Sequence, residues 1–327
     1  KVFGNRLDEL IMSDENVDVI TVGRISLDFY ANESNVGFEK VKTFTMSIGG
    51  SPTNVAIAAA RLGNKSAIVT NIGKDSFNEY IISKLKDFKI NTDFVGVDET
   101  EFTPAVFAAM DDPFDPTIFF NRAKSAPDTK VEKSRLSDEL VKKVKVFWVS
   151  ACALAQGETG KSLKSWLATR NNASHTILDL DYRPSFWESE AVAKKVTLEA
   201  ISKSTVLVGN RREFEVVSGF TDPKKISEHF LGDQISTVIV KLGEQGVYLS
   251  AKGEEYVLPP LKVDVRCGLG AGDSFGGMLI HGLLNSWSLE KIGSYANVAG
   301  AIVASRLMCS DAMPTMSEVE AMVMGKS

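Results

Sequence analysis

Short β-branched and apolar runs alternate along the chain with longer amphipathic stretches. Val17–Val22, Ala67–Ile72, Val144–Val149, Thr176–Leu180, Thr205–Val208 and Thr237–Val240 read as buried strands, because nearly continuous apolar runs suit a strand covered on both faces. Between them Thr53–Leu62, Ser76–Phe88, Glu158–Arg170, Glu190–Ser202 and Lys224–Leu231 read as helices. The alternation predicts an α/β fold: a mostly parallel central sheet with helices on both faces. Ligands in such folds sit outside the carboxyl ends of the strands.

Two segments break the rhythm. Residues 29–48 and 103–121 alternate in character (Lys42-Thr-Phe-Thr-Met-Ser-Ile48, Ala105-Val-Phe-Ala-Ala-Met110, Thr117-Ile-Phe-Phe120) and leave no room for crossover helices. They predict a small antiparallel β lid, discontinuous in sequence. The core is then 17–28, 49–102 and 122–327, with 1–16 as a charged, helix-like N-terminal extension. A lid over the strand ends excludes water from chemistry beneath it; the same sheet would also serve as an edge extension or as the surface of a homodimer. From Leu269 onward the pattern is helical, with Phe275, Met278, Leu279 and Leu283 on one face. Ile292 through Leu307, rich in Ala, Gly and Val, then completes a close-packed helix pair.

Composition narrows the partners. The 327 residues are 44% hydrophobic and 24% charged with net charge −5, ample for a large core and contrary to a nucleic-acid or membrane surface, which needs clustered Lys and Arg. A small molecule is the expected partner. Cys152, Cys267 and Cys309 lie far apart, as do His175, His229 and His281, so no spacing resembles a zinc site or a disulfide framework. No apolar run approaches the roughly 18 to 20 residues of a membrane span, and the start lacks a secretory apolar region. A cytoplasmic protein is expected.

The candidate chemistry is concentrated in Val265-Arg-Cys-Gly-Leu-Gly-Ala-Gly-Asp-Ser-Phe275. Gly268, Gly270 and Gly272 precede a predicted helix, whose first N–H groups and dipole bind anions, and a glycine backbone lets a phosphoryl group approach closely. Asp273, at the same place, reads either as a helix cap or as a general base. The Gly268/Gly270 spacing begins a dinucleotide-binding pattern but Asp273 occupies its third glycine position, so that fingerprint fails. Ala155-Gln-Gly-Glu-Thr-Gly-Lys161-Ser162, between a predicted strand and helix, resembles a Walker A loop with Ala155 in place of the first glycine; it supports an alternative P-loop enzyme using Lys161 and Ser162.

Several motifs together resemble those of the ribokinase-like, or PfkB, family of carbohydrate kinases, from about Val17 to the end. Gly49-Gly50-Ser-Pro-Thr-Asn54 resembles the N-terminal signature whose glycine pair and Asn contact the sugar, and Asp28 matches the acidic residue that binds substrate hydroxyls. Asn210-Arg-Arg-Glu213 resembles the NxxE motif, which implies that Asn210 and Glu213 help place magnesium and phosphate, Glu213 through water; read alone it is an ordinary helix start. Lys241-Leu-Gly243-Glu-Gln-Gly246 corresponds to the nucleotide-binding turn, with Lys241 and Leu242 in place of the usual Thr and Lys. Gly270-Ala271-Gly272-Asp273 matches the second signature, which implies an anion hole at 270–272 and a base at Asp273. The resemblance places Asn297 and Ala301 near the adenine. It implies ATP and Mg2+ as cofactors, and a monovalent cation such as K+ near 267–269, where this chain has Cys-Gly-Leu and many members have Asp-Thr-Thr.

The substrate is suggested by Asp179-Leu-Asp181-Tyr-Arg183-Pro-Ser-Phe-Trp187, which resembles the DxDYRPxxW segment of the 5-dehydro-2-deoxygluconate kinases of inositol breakdown, as does the closing Asp311-Ala-Met-Pro-Thr315. The related 2-keto-3-deoxygluconate kinases carry Asn at the place of Asp181. Arg122 matches an arginine that acid-sugar kinases use around the substrate carboxylate, a role that suits a planar two-donor guanidinium; otherwise it is a solvated lid residue. Arg183 reads as a salt-bridge partner of Asp179 or Asp181, or as facing the phosphates. Trp187 reads as packing. The expectation is phosphoryl transfer from ATP to an acidic keto sugar, with other sugars such as ribose or fructose, or a non-catalytic sugar sensor, as alternatives.

Overall fold

The computed structural model describes residues 17–155 and 157–325; the predicted extension at 1–16 lies outside the described residues. The strands are β1 (Val19–Val22), β2 (Ser26–Ser34), β3 (Phe44–Gly49), β4 (Ser66–Gly73), β5 (Val95–Asp98), β6 (Ala105–Met110), β7 (Thr117–Asn121), β8 (Val146–Ser150), β9 (Thr176–Asp179), β10 (Val206–Asn210), β11 (Thr237–Lys241), β12 (Val247–Ala251) and β13 (Glu254–Leu258). The large sheet runs β13-β12-β11-β10-β9-β8-β1-β4-β5. It is parallel from β5 to β11 and ends in an antiparallel β11-β12-β13 edge.

Why the strands read as continuous apolar runs is visible in β8. Phe147 and Val149 pack on one face with Leu163, Trp166, Leu178 and Phe214, while Val146 and Trp148 pack on the other with Ile177, Val208, Phe275 and Met278. Both faces are core, so the strand is apolar from Val146 to Val149 and turns polar only at its carboxyl end, at Ser150. The predicted helices form at Ser51–Arg61, Asn78–Asp87, Gly157–Arg170, Glu190–Ile201 and Pro223–Phe230. The β12–β13 hairpin was not predicted: β13 is a largely exposed edge strand that opens on Glu254 and Glu255, and its connection turns at Gly253, where φ is 88°.

Helix Ala271–Leu284 lies directly on helix Ser51–Arg61. A Cβ on Gly277 would come within 2.9 Å of the Ala58 carbonyl carbon, and one on Gly276 within 2.7 Å of the Trp148 ring. Two helix backbones thus approach as closely as glycine permits, and the residues at their N-terminal ends meet at one point.

The second sheet has the order β3-β2-β6-β7. Its outer pairs are antiparallel, as expected, but its central pair, β2 with β6, is parallel. Each of these two strands leaves the carboxyl edge of the large sheet, β2 after β1 and β6 after β5, and so both start from the same side. The chain enters this sheet at Ser26, which puts Asp28 on the small sheet. Side chains alternate across it. Asp28, Tyr30, Val106, Ala108, Ile118 and Phe120 face the interior cleft. On the opposite side Phe29 and Phe107 stack at 4.9 Å, with Phe44 and Phe119 beside Phe107.

Candidate active site

A cleft of about 280 Å³ opens between the carboxyl edge of the large sheet and the inner face of the small one. The chain runs from β1 outward to β4 and β5, then returns to β8 on the other flank of β1. Such a reversal of strand order leaves a crevice at the carboxyl ends. Into it project Arg24 after β1, Asp179 and Asp181 at the end of β9, Asn210 at the end of β10 and Lys241 at the end of β11.

The glycine turn forms one wall. Gly270, at φ 82°, is the N-cap of helix Ala271–Leu284, and a Cβ there would sit 2.9 Å from Cys309 Sγ; both facts require glycine. No side chain caps this helix, so the first-turn N–H groups are left to meet an anion. Asp273 is therefore not a cap. Its carboxylate accepts hydrogen bonds from Ser51 Oγ at 2.7 Å and Asn54 Nδ2 at 2.8 Å, both from the facing helix. Asn54 Oδ1 in turn accepts from Ser310 Oγ at 2.8 Å, which fixes the orientation of the amide. Burial pushes Asp273 up to about 6, with Ser51 and Asn54 opposing and the nearby Asp179 and Asp181 charges reinforcing.

Asp28 lies across the cleft. Ser26 Oγ donates to it at 2.6 Å and the Tyr30 hydroxyl at 3.0 Å, while burial still pushes it up to about 6. Its carboxylate packs against Gly49, where a Cβ would collide with it. Gly50, at φ 98°, abuts the Arg24 carbonyl and starts the helix that carries Ser51 and Asn54.

Near Gly272 the cleft holds Lys241, Asp179 and Glu213. Lys241 Nζ would be 3.5 Å from a Cβ on Gly272 and is 3.7 Å from Asp179 Oδ1. Burial works against its charge, but Asp179, Glu213 and Asp273 outweigh this and raise its pKa, so the ammonium stays charged. Asn210 and Glu213 form a capping box: Asn210 Oδ1 accepts from the Glu213 N–H and Glu213 Oε2 from the Asn210 N–H. The helix-start reading of this motif thus holds, and both residues line the cleft as well.

Magnesium asks for one or two carboxylates, several waters and substrate phosphates rather than an all-protein cage. Glu213 has an oxygen outside the capping box, and Asp179 Oδ1 is buried with no hydrogen-bond partner. Among the described residues no cluster of three or more His, Cys, Asp or Glu could cage a bare ion. This donor set fits an ion held largely through water and phosphate oxygens. Residues 267–269 offer no side-chain oxygen, and the Gly268 N–H is bonded to Pro113 O, in the turn between β6 and β7.

Three arginines line the cleft. Arg122 is mostly withdrawn from solvent, its side chain 10% exposed, and both its terminal nitrogens are bonded to Asp128, at 2.6 and 2.8 Å. Arg183 Nε lies 3.2 Å from Asp181 Oδ1, so the salt-bridge reading is realised with Asp181. Arg24, which the sequence did not single out, holds Asp181 Oδ2 at 3.0 Å. Ser51 and Tyr30 are further cleft residues to which sequence reasoning assigned no role, and Asp179, the first residue of the Asp179–Trp187 segment, joins them. Only the facing-helix geometry reveals Ser51.

The predicted nucleotide residues Gly243, Gly246, Asn297 and Ala301 do not line this cleft. Gly243 starts a short 3-10 turn after β11, Gly246 packs against the Leu258 carbonyl, Asn297 donates to Pro259 O at 2.9 Å and Ala301 is buried in helix Leu289–Ala304. Ala271, in the glycine turn, lies against Gly300 of that helix. The Walker-like segment forms no phosphate loop. Gly157–Arg170 is already helix, Lys161 is exposed and paired with Glu158 at 3.0 Å, and Ser162 donates to Val131 O. Trp187 is buried packing, as expected.

The sequence model of the pfkB family of carbohydrate kinases matches residues 16–316. The 5-dehydro-2-deoxygluconokinase of Geobacillus kaustophilus (strain HTA426) is 32% identical over 311 residues, covering 93% of this chain and 92% of its own. That of Bacillus cereus (strain 03BB102) is 31% identical over 322 residues, covering 95% and 96%. Among solved structures, fructokinase from Xylella fastidiosa with bound ATP superposes with a TM-score of 0.80 at 19% identity, over 94% of this chain and 98% of that one. Fructokinase from Vibrio cholerae O395 with fructose, ADP and calcium bound gives 0.80 at 21% identity over the same shares. The chain belongs to the pfkB family of carbohydrate kinases and has the ribokinase-like fold; it is a sugar kinase, a phosphotransferase acting on an alcohol group of a small molecule.

If ionised Asp273 limits turnover, kcat/KM falls as pH drops through about 6. Ser51→Ala removes a bond that favours the ionised form, worth about 1 kcal/mol, and moves that acid limb upward by about 0.7 pH unit. A limb that stays in place would show that another group sets it.

Proposed function

We propose that the protein transfers the γ-phosphoryl group of ATP to a hydroxyl of an acidic keto sugar, 5-dehydro-2-deoxy-D-gluconate. The observation that carries the reaction is Asp273, desolvated and held by Ser51 and Asn54 beside an uncapped glycine turn. The substrate rests on the relatives of about 32% identity that share nearly the full length, and on the arginine-lined cleft.

In this reading Asp273 accepts the proton of the attacking hydroxyl as the bond to phosphorus forms. Negative charge on the phosphoryl oxygens is met by the N–H groups of Gly270, Ala271 and Gly272 and by Lys241 Nζ beside them, without reorganisation. Asp28 orients sugar hydroxyls, with Gly49, Gly50 and Asn54 shaping the floor. Glu213 and Asn210, with Asp179 alongside, would hold a magnesium ion through water, which would supply charge neutralisation on the phosphates. The nucleotide extends past Lys241 along Gly243, Gly246, Asn297 and Ala301. A K+ ion near 267–269 would be held by backbone carbonyls. Segments 29–48 and 103–121 act as the lid that keeps water from competing with the sugar. The three buried cysteines are free, which suits a cytoplasmic enzyme. The aromatic outer face of the small sheet, with Phe119 56% exposed, and Phe102, 79% exposed in the loop before β6, take a second copy of the chain.

In a coupled ADP-release assay, 5-dehydro-2-deoxygluconate is expected to give a higher kcat/KM than 2-keto-3-deoxygluconate, ribose or fructose. A faster neutral sugar would reassign the substrate, and no ADP from any would leave a sugar sensor. Asp273→Asn should lower kcat by about 10² to 10⁴. It should also melt at an equal or higher temperature at pH 7.5. Asp273 binds its proton more tightly in the folded state, so its contribution to stability is full below the unfolded carboxylate range and lost as pH rises through about 6. Near-normal turnover in that variant would contradict the base. For the dimer, Phe107→Asp should convert a sedimenting dimer to monomer; a wild-type monomer at all concentrations would refute the assembly.

A further inference from the structure

Arg122 cannot take a substrate carboxylate in the arrangement seen, because Asp128 already occupies its two-pronged end. The neighbouring arginine is in the opposite condition. Arg24 is 9% exposed, lines the cleft, and uses its Nη2 on Asp181 at 3.0 Å, while its Nη1 is buried with no hydrogen-bond partner among the described residues. A buried guanidinium N–H without an acceptor is costly, and native structures rarely retain one without a use.

The surroundings hold this group in place. The Arg24 carbonyl accepts from Thr53 Oγ1 at 2.8 Å and abuts Gly50, which pins its backbone at the end of β1. Its guanidinium and that of Arg122 lie on the Phe186 ring, each 5.1 Å from the centroid. Asp181 is itself fixed at φ 24°, with Ser150 Oγ donating to Oδ2 at 2.7 Å, Arg183 Nε to Oδ1, and the Cys152 thiol to its carbonyl. Around Phe186 three cations, Arg24, Arg122 and Arg183, face two anions, Asp128 and Asp181. Lys241, Asp179 and Glu213 lie further along the cleft, toward Gly272. Arg24 and Arg183 share the single carboxylate of Asp181, so the three arginines meet two carboxylates and one monoanion would balance them.

We propose that Arg24 is the specificity-determining residue of the cleft: its free Nη1 binds the carboxylate of the sugar acid, with Asp181 aiming the guanidinium and Arg122 buttressing Phe186 behind it. This rests on the acid-sugar reading above and locates its selectivity. Phosphate is the less suitable occupant, because the glycine turn and Lys241 already provide for phosphoryl groups, whereas a guanidinium edge matches a planar carboxylate.

The test compares 5-dehydro-2-deoxygluconate with its neutral primary amide in wild type, Arg24→Lys, Arg122→Lys and the paired variant Arg24→Gln/Asp181→Asn, which removes both charges of the ion pair and guards against misfolding. The readout is the acid-to-amide ratio of kcat/KM, with the KM for MgATP and the melting temperature as controls of fold. Wild type should prefer the acid by about 30- to 100-fold, the range of one well-made charged contact. Arg24→Lys and the paired variant should bring the ratio to within a few fold of one, and Arg122→Lys should keep most of the preference. An acid preference retained in both folded Arg24 variants, or lost in Arg122→Lys alone, overturns the assignment while leaving the acid-sugar reading intact. Equal use of acid and amide by wild type defeats that reading, and the assignment with it.

Discussion

A carboxylate in water has a pKa near 4 and is too weak a base to help an alcohol attack phosphorus at neutral pH. Everything in this cleft depends on placing one carboxylate where water solvates it poorly, yet where enough donors remain to let it ionise. Asp273 has two neutral donors, Ser51 and Asn54, while its burial away from water pushes its pKa up to about 6. Both donors stand on the first turn of the facing helix, and their position depends on how closely two helices can pack. Gly276 and Gly277, which touch Trp148 and Ala58, therefore help place the carboxylate that we propose as the base, along with the hydroxyl and amide that contact it.

The rest of the fold supplies charge and enclosure around that group. The parallel strands end together, so Arg24, Asp179, Asp181, Asn210 and Lys241 converge although they are spread over more than two hundred residues. The small sheet closes the other side, and its β6–β7 turn reaches the glycine turn through the bond from Gly268 to Pro113. The small sheet and the glycine turn are thus directly joined. Three buried carboxylates of the cleft, Asp28, Asp179 and Asp273, carry raised pKa values from burial, whereas at Asp181 burial is outweighed by Arg24 and Arg183, which hold it low. Lys241 and the arginines keep the region from being wholly neutral, as phosphoryl transfer requires.

Much of this was legible in sequence because the signals are local. Strands buried on both faces are rich in apolar residues with only a few small polar ones, so β1, β4 and β8 announce themselves, and the glycine spacing before Asp273 reports a turn that only glycine can make. Those signals fade where the cause is tertiary. Asp273 reads equally well as a helix cap until the facing helix shows its oxygens bonded to Ser51 and Asn54. The Walker-like string around Lys161 satisfies a pattern, but its backbone is helical and its lysine points to solvent beside Glu158. Arg122 and Arg24 are the clearest case: the motif marked the first, and only the bidentate pair with Asp128 and the orphaned Nη1 exchange their apparent roles. The parallel β2–β6 pair was hidden for a similar reason, since strand direction in the small sheet follows from where each strand leaves the large one.

The central claim is that Asp273 is a desolvated, proton-affine carboxylate in the resting protein. Carbon-13 NMR of the protein labelled at aspartate carboxyl carbons, read as the difference between wild type and Asp273→Asn, measures this without any assay of turnover. The account predicts a resonance that titrates near pH 6. A resonance for Asp273 that titrates near 4 or below would show a well-solvated or strongly paired carboxylate, and would contradict the account.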